Sequence, residues 1–121
     1  NLPLEAIIKH LWMDENCLKT LHNNSHVIGL HSHSHPTGLG DLAYADQERE
    51  YGENAATIEN ILGSPPKTMS YPFGQYSVDT LSLAKTMNIE LAFRADMNGP
   101  AHSNLEFPRE NHATIMMRMK R

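Results

Sequence analysis

The stretch IGLHSHSHP, residues 28–36, places three histidines at alternate positions directly behind a short apolar run. That run, His26 to Leu30, follows the polar turn Asn23-Asn24-Ser25. Short apolar runs bounded by turn residues are typical of buried parallel strands. We therefore predict a strand at 26–30, with the three histidines at its carboxyl end.

The spacing of the histidines leaves one pair together in either backbone geometry. His31, His33 and His35 share a face if the chain is extended, whereas only His31 and His35 align if it turns helical. Neutral imidazole is a common ligand of Zn²⁺ and similar metals, and two ligands from one short segment lower the entropy cost of assembling a site. Histidine-rich surface loops also occur without metal, so the pattern alone leaves both interpretations open.

The rest of the chain alternates between helical and strand patterns. Apolar residues at helical spacing and a following Gly63 predict a helix from about Ala45 to Leu62. A β-prone segment at 68–71 precedes a helix capped by Ser77, and a strand is predicted at 89–93. The N-terminal pattern indicates one helix or two short ones, on Leu4, Ile7, Ile8, Leu11, Leu18 and Leu21. This order predicts the α/β class with a mainly parallel sheet.

Length and composition exclude several classes of protein. A chain of 121 residues has room for one modest core, so we expect a single domain at 1–121. Ten Lys and Arg residues against fourteen Asp and Glu residues, a net charge of −4, argue against a nucleic-acid partner. No apolar run approaches the roughly 20 residues of a membrane span. Cys17 is the only cysteine, which excludes an intrachain disulfide.

The segment IGLHSHSHPTG followed by a long helix resembles the second motif of the polysaccharide deacetylase family. That motif consists of His, then Ser or Thr, two variable residues and a second His, which here corresponds to HSHSH at 31–35. The resemblance implies that His31 and His35 bind a catalytic metal, Zn²⁺ or another divalent transition metal. It also implies that Ser32 braces the loop and that His33 occupies a variable position.

A second segment, MSYPFG at 69–74, resembles the family's Arg-x-Pro-Tyr-Gly sequence, which forms one wall of the active-site groove. Ser70 stands where the arginine often does, so no role is carried over from the arginine. The resemblance implies that Tyr71, Pro72, Phe73 and Gly74 bind substrate, and that the backbone N–H of Phe73 is a catalytic oxyanion donor. By itself the segment would be an ordinary Pro-Gly turn with a core aromatic.

A third segment, FPRENH at 107–112, is similar to the strand segment near the end of such domains. The similarity implies that His112 is the catalytic general acid. A lone histidine is also commonly a structural or surface group. Arg109 would orient a carboxylate or form an ion pair.

The family's first motif, a Thr-Phe-Asp-Asp-like segment that supplies the catalytic base and a third metal ligand, has no counterpart here. The chain contains no Asp-Asp pair and begins with Asn. We therefore expect part of a distorted (β/α) barrel of the polysaccharide deacetylase type, with the N-terminal strand or strands missing. Sheet edges and apolar faces would then be uncovered, which predicts self-association.

The resemblance implies a metal-dependent hydrolase that removes N-acetyl or O-acetyl groups from a saccharide or polysaccharide. As a deacetylase of N-acetylated saccharides, it would act on non-peptide carbon–nitrogen bonds, and this chain would be impaired without the Asp-Asp motif. One alternative is a non-catalytic carbohydrate-binding module in which Tyr71, Phe73 and Tyr76 stack on sugar. Two others are a Ni or Cu storage or sensor site on the three histidines and an amidohydrolase-like barrel with an HxH metal pair.

Overall fold

The computed structural model describes residues 3–119, except for the side chains of Lys9 and His10. The helices of this part are α1 (Leu4–Leu11), α2 (Glu15–Asn23), α3 (Tyr44–Leu62), α4 (Val78–Thr86) and α5 (His112–Met119). The strands are β1 (Thr68–Ser70) and β2 (Leu91–Phe93), and single 3₁₀ turns lie at Leu39–Asp41 and Pro72–Gly74. Helices and strands alternate from α3 to β2, which confirms the predicted α/β pattern.

The sheet is parallel and is extended on both sides by single bridges. β1 pairs with β2 in the register Thr68 to Leu91, Met69 to Ala92 and Ser70 to Phe93. Leu30 forms a parallel bridge to Met69, and Phe93 forms one to Phe107. The chain thus crosses the sheet in the order of its sequence, with α3 and α4 as the connections. All four carboxyl ends consequently lie at one edge of the sheet.

Helix α3 supplies much of the core. It ends at Gly63, whose φ of 78° is the left-handed conformation that glycine adopts without steric cost. Tyr51 and Ile58 are buried, and Ala55 and Leu62 pack against the core as partly buried residues. The predicted helix and its apolar face are therefore confirmed. Other core residues come from the strands, from α4 and from the connecting segments, and include Leu30, Met69, Tyr71, Leu83, Ala92 and Leu105.

A buried polar contact fastens α4 to α3. The Ser77 hydroxyl accepts a hydrogen bond from the Thr80 amide, and the Thr80 hydroxyl accepts one from the Ser77 amide. The predicted cap is therefore a full capping box. Thr80 also donates to Gln47 Oε1, and Gln47 Nε2 donates to the Leu42 carbonyl at 2.8 Å. Thr80 and Gln47 are fully buried, so these bonds satisfy polar groups that would otherwise be costly to bury.

Two predicted strands are reduced to single bridges. In the segment 26–30 only Leu30 pairs, donating to the Thr68 carbonyl and accepting from the Ser70 amide, each at 2.9 Å. Val27 is 74% exposed, so burial does not hold the start of that segment in a strand. The strand expected within 107–112 ends at its bridge residue, Phe107, because Pro108 has no N–H to continue the ladder. Helix α5, which follows, was not predicted.

The N-terminal pattern folds as two helices, α1 and α2, which is one of the two predicted forms. The α1 segment keeps an uncovered apolar surface, with Leu4, Leu11 and the following Trp12 each 71% exposed. Within residues 3–119, no helix is both long enough and apolar enough to cross a membrane.

Two buried tyrosines provide a first test of the core. Tyr71 donates its hydroxyl to the Leu105 carbonyl at 2.7 Å, whereas the Tyr51 hydroxyl has no partner among the described residues. We expect Tyr71→Phe to lower the free energy of unfolding by about 1–2 kcal/mol, because it orphans a buried carbonyl. Tyr51→Phe should be neutral or stabilising. Urea denaturation of both variants checks this, and equal losses would contradict it.

Two glycines provide a second test. Gly74 has a φ of +71°, and a Cβ added there would lie 2.8 Å from the Ala95 amide nitrogen. Gly74→Ala should therefore destabilise the chain by about 2 kcal/mol or more, from left-handed strain and the clash together. Gly52→Ala is the matched control, since a Cβ there meets nothing within 4 Å and the site lies inside α3. It should stabilise by up to about 1 kcal/mol, and thermal unfolding of both variants measures the contrast.

Candidate active site at the carboxyl edge of the sheet

The pairing of Leu30 with Met69 sets His31 beside Ser70. His31 Nδ1 lies 2.8 Å from the Ser70 carbonyl oxygen and 3.0 Å from the Ser70 hydroxyl. A carbonyl only accepts, so His31 Nδ1 carries the proton and Nε2 keeps its lone pair. Metal-binding histidines commonly donate their second ring N–H to an acceptor in this way. Ser70, at the position where the family often has arginine, thus orients the first histidine.

The loop brings the second predicted ligand to the first. The ring centroids of His31 and His35 are 4.9 Å apart and meet edge to face at 61°. His35 has a φ of +55° and Ser32 a φ of +65°, both in the left-handed region that non-glycine residues rarely adopt. The His35 amide donates to the Ser32 hydroxyl at 3.0 Å. Ser32 therefore braces the loop, as the resemblance implies.

His33 has a different neighbour. Its Nε2 lies 3.5 Å from a carboxylate oxygen of Glu53 on α3, and about half of each side chain is exposed. The ring contacts of the described residues join His31 to His35 and do not include His33. This arrangement agrees with a variable position rather than a ligand.

The imidazole nitrogens of His31 and His35 are donors of the kind that a divalent transition metal binds. The imidazoles of His31 and His35 are neighbours, with ring centroids 4.9 Å apart, and the bond to Ser70 leaves the Nε2 of His31 free. Imidazole nitrogen is a common ligand of such metals. Within residues 3–119, no group of three or more His, Cys, Asp or Glu side chains is placed to hold a metal. The described residues therefore offer two metal ligands, and their assignment stays a prediction.

Phe73 places its ring beside the second histidine. Its ring centroid lies 4.8 Å from that of His35, and the side chain is 61% exposed. The residue has a φ of +54°, and Gly74 follows at +71°. In the described part of the chain the Phe73 amide N–H makes no hydrogen bond. An N–H left free at a turn is the kind of donor that an oxyanion requires.

Tyr71 and Pro72 lie behind this wall and are buried. The Tyr71 ring stacks on Tyr76 with centroids 4.7 Å apart. Burial raises the pKa of the Tyr71 phenol, and nearby Tyr76 adds to the effect. Phe73 is therefore the aromatic residue of this segment that solvent reaches, and Tyr71 and Pro72 support it from the core. The substrate-binding role of residues 71–74 stays a prediction.

His112 is exposed at the first position of α5. None of the hydrogen bonds, ion pairs or ring contacts within residues 3–119 joins it to His31 or His35. Neighbouring Arg109 lines the same shallow polar cleft as His112. His112 follows the Phe107 bridge by five residues, and its role as general acid stays a prediction.

The sequence analysis missed two residues of α3 that hold the histidine loop. Asn54 Oδ1 accepts the His31 amide at 3.0 Å. Glu50 accepts the amides of His33 and Ser34, at 3.1 and 2.8 Å, and the Ser34 hydroxyl at 2.7 Å. Burial alone would raise the pKa of Glu50, but the bonds from Ser34 and His33 outweigh it and lower that pKa. The spacing of four within a predicted helix was the available signal, since it places Glu50 and Asn54 on one face.

A separate open cleft of about 320 Å³ lies at the opposite edge of the sheet. It is lined by residues that precede the strands, among them His22, His26, Ile58 and Lys67, and by none of the loop histidines. Apolar clefts are common ligand sites. The histidines and the other polar groups that could do chemistry, however, lie at the other edge of the sheet.

Comparisons with known proteins identify the family and the fold of this chain. Residues 6–92 match the family model described as polysaccharide deacetylase. A search of curated protein sequences finds no match.

Several solved structures share the fold. A deacetylase from Streptococcus pyogenes, PplD, solved in complex with acetate, is 20% identical at a TM-score of 0.73, and the match covers 81% of this chain and 44% of that one. The BpsB deacetylase domain from Bordetella bronchiseptica is 15% identical at 0.69, covering 82% and 48%. A de-N-acetylase from Aggregatibacter actinomycetemcomitans is 11% identical at 0.69, covering 90% and 54%.

At these identities the similarity shows the fold, which confirms the predicted likeness to the deacetylase (β/α) barrel. The chain spans about half the length of the solved structures it matches. The family match extends through the histidine loop, β1 and the PFG turn, and ends within β2. This chain therefore belongs to the polysaccharide deacetylase family.

Proposed function

We propose that this chain carries part of the active site of a metal-dependent hydrolase that removes N-acetyl or O-acetyl groups from a saccharide or polysaccharide. The observation that carries the proposal is the His31–His35 pair, in which Ser70 holds His31 with its Nε2 free. Family membership and a fold shared with deacetylases support the same chemistry.

In this proposal His31 and His35 are the metal ligands, and the metal is Zn²⁺ or another divalent transition metal. When bound, such an ion supplies Lewis acidity toward the acyl carbonyl and toward water. The loop contributes two imidazoles: Ser70 orients the ring of His31, and the Ser32 hydroxyl holds the backbone of His35. Orientation set in advance reduces the entropy lost when the site assembles.

The PFG turn and the last helix supply the remaining roles. The Phe73 amide N–H donates to the oxyanion that forms on the acyl oxygen during attack. The exposed Phe73 ring and the backbone at Gly74 contact the sugar, with Tyr71 and Pro72 behind them. His112 gives a proton to the departing amine nitrogen of an N-acetylated substrate.

The chain of 121 residues is a poor catalyst by itself in this proposal. It has no Asp-Asp pair, which in the family supplies the base and a third ligand. A general base typically contributes about 10²- to 10⁴-fold to the rate, so its loss together with one ligand lowers the rate by several orders of magnitude.

A non-catalytic carbohydrate-binding module on the same scaffold is the second candidate. The 61% exposed ring of Phe73 favours it, because an aromatic face open to solvent suits sugar stacking. That module would bind saccharide equally well with and without a chelator, whereas the hydrolase would need its metal.

We also propose that the chain self-associates. The support is the apolar α1 segment, where Leu4, Leu11 and Trp12 are largely exposed. Light scattering over a concentration series measures this, and a monomer at all concentrations would contradict it.

The metal-ligand assignment is tested by zinc titration calorimetry on three single variants. His31→Ala and His35→Ala should each reduce zinc affinity by at least about 100-fold, because each removes one of two described ligands. His33→Ala is the matched control and should bind zinc as the unsubstituted chain does. Equal losses in all three variants would contradict the assignment.

The hydrolase proposal is tested by amine release from N-acetylated sugar oligomers. We expect slow, chelator-sensitive release by the chain alone, and faster release when an Asp-Asp-bearing segment is supplied ahead of Asn1. His112→Ala in that longer protein should lower the rate by about 10²- to 10⁴-fold and leave zinc affinity unchanged. Rates that are equal with and without the added segment and with and without metal would overturn the proposal.

A further inference from the structure

The backbone of the histidine loop is held almost entirely by side-chain acceptors. Helix α3 supplies two of them, Asn54 to the His31 amide and Glu50 to the amides of His33 and Ser34. Ser32 supplies the third, to the His35 amide. Four of the five amides at 31–35 therefore point at side chains rather than at another strand, and two of the four bind one carboxylate.

Glu50 is an unusual residue to find in this place. It is only 9% exposed, and a carboxylate is rarely buried without a cation beside it. Its side-chain hydrogen bonds within the described residues come from the loop, two from backbone N–H groups and one, at 2.7 Å, from the Ser34 hydroxyl. Hydrogen bonds to an ionised acceptor are roughly twice as strong as neutral ones. The buried carboxylate of Glu50 therefore stabilises the conformation of the loop.

The backbone of the loop is strained at two residues, and other interactions must offset that strain. Ser32 and His35 both have left-handed backbones, which non-glycine residues adopt only at a cost in free energy. Without the acceptors on α3, the loop could relax toward extended conformations. Relaxation at His35 would turn its ring away from His31, because the side-chain direction follows the backbone.

We propose that Glu50 and Asn54 are positioning residues that hold the loop in the conformation where His31 and His35 converge. This inference rests on the proposed function only in taking the two histidines as metal ligands. The loop groups that donate to Glu50 and Asn54 are backbone amides and the Ser34 hydroxyl, and no hydrogen bond within residues 3–119 joins either residue to the ring of His31 or His35. Their contribution is therefore to the affinity for metal, through the geometry of the ligands.

The first experiment is zinc titration calorimetry on the whole chain, below the unfolding temperature of every variant. Glu50→Gln keeps the size of the side chain but turns one acceptor into a donor that faces loop N–H groups. It should weaken zinc binding about 10- to 100-fold, as is typical when an outer-shell partner of a metal ligand is lost. Asn54→Ala and Ser34→Ala, which each remove fewer bonds, should give smaller losses.

Glu53→Gln is the matched control. Glu53 lies on the same helix and pairs with His33, but it accepts none of the loop amides. This variant should bind zinc as the unsubstituted chain does. If Glu50→Gln also does so, or if Glu53→Gln loses as much affinity, the inference is overturned.

A metal-free measurement separates this inference from the proposed function. Hydrogen exchange at the amides of 33 and 34 should accelerate at least about tenfold in Glu50→Gln and not in Glu53→Gln, while exchange in α4 stays unchanged. If zinc does not bind the unsubstituted chain but loop exchange accelerates as expected, the metal proposal fails and the positioning role stands. Unchanged loop exchange in Glu50→Gln would overturn the positioning role whatever zinc does.

Discussion

Two backbone hydrogen bonds between Leu30 and β1 are the constraint on which the site depends. They set the parallel register in which Leu30 meets Met69, so the next residues along, His31 and Ser70, become neighbours. In this register the His31 imidazole lies within hydrogen-bond distance of the Ser70 carbonyl. A shift of one residue in that register would turn the strand's side chains to the opposite face and separate the two groups.

Helix α3 connects this edge of the sheet to the core. One face carries Tyr51 and Ile58 into the hydrophobic cluster, which fixes the helix against the sheet. Glu50 and Asn54 then stand at fixed positions above the loop, so the packing of apolar side chains determines where the polar acceptors lie. The exposed polar residues of a loop seldom fold it into one conformation by themselves, and here a packed helix does so from outside.

Among residues 3–119, three of the five non-glycine residues with a positive φ lie at this edge of the sheet. Ser32, His35 and Phe73 have left-handed backbones, and they include the second predicted ligand and the predicted oxyanion donor. Residues held in sparsely populated conformations cluster at functional sites, where the surrounding structure stabilises them. The chain belongs to a family of deacetylases. It spans only about half the length of the solved structures it matches, so the activity of the whole protein is a proposal.

The sequence by itself determined the elements whose signals are local. The period of α3 with its stop at Gly63, the Ser77 cap and the short strand before Pro72 all depend on neighbours within a few residues, and each was predicted correctly. The motif residues His31, His35 and Phe73 could also be named, because their spacing within short segments is distinctive. Only the tertiary structure decided which segments pair and what holds the loop. The strands at Leu30 and Phe107 shrink to single bridges, and the acceptors Ser70, Glu50 and Asn54 act across 16 to 39 positions of sequence. Such contacts depend on the packing of elements against one another. The spacing of Glu50 and Asn54 places them on one helix face, but it does not say which loop that face meets.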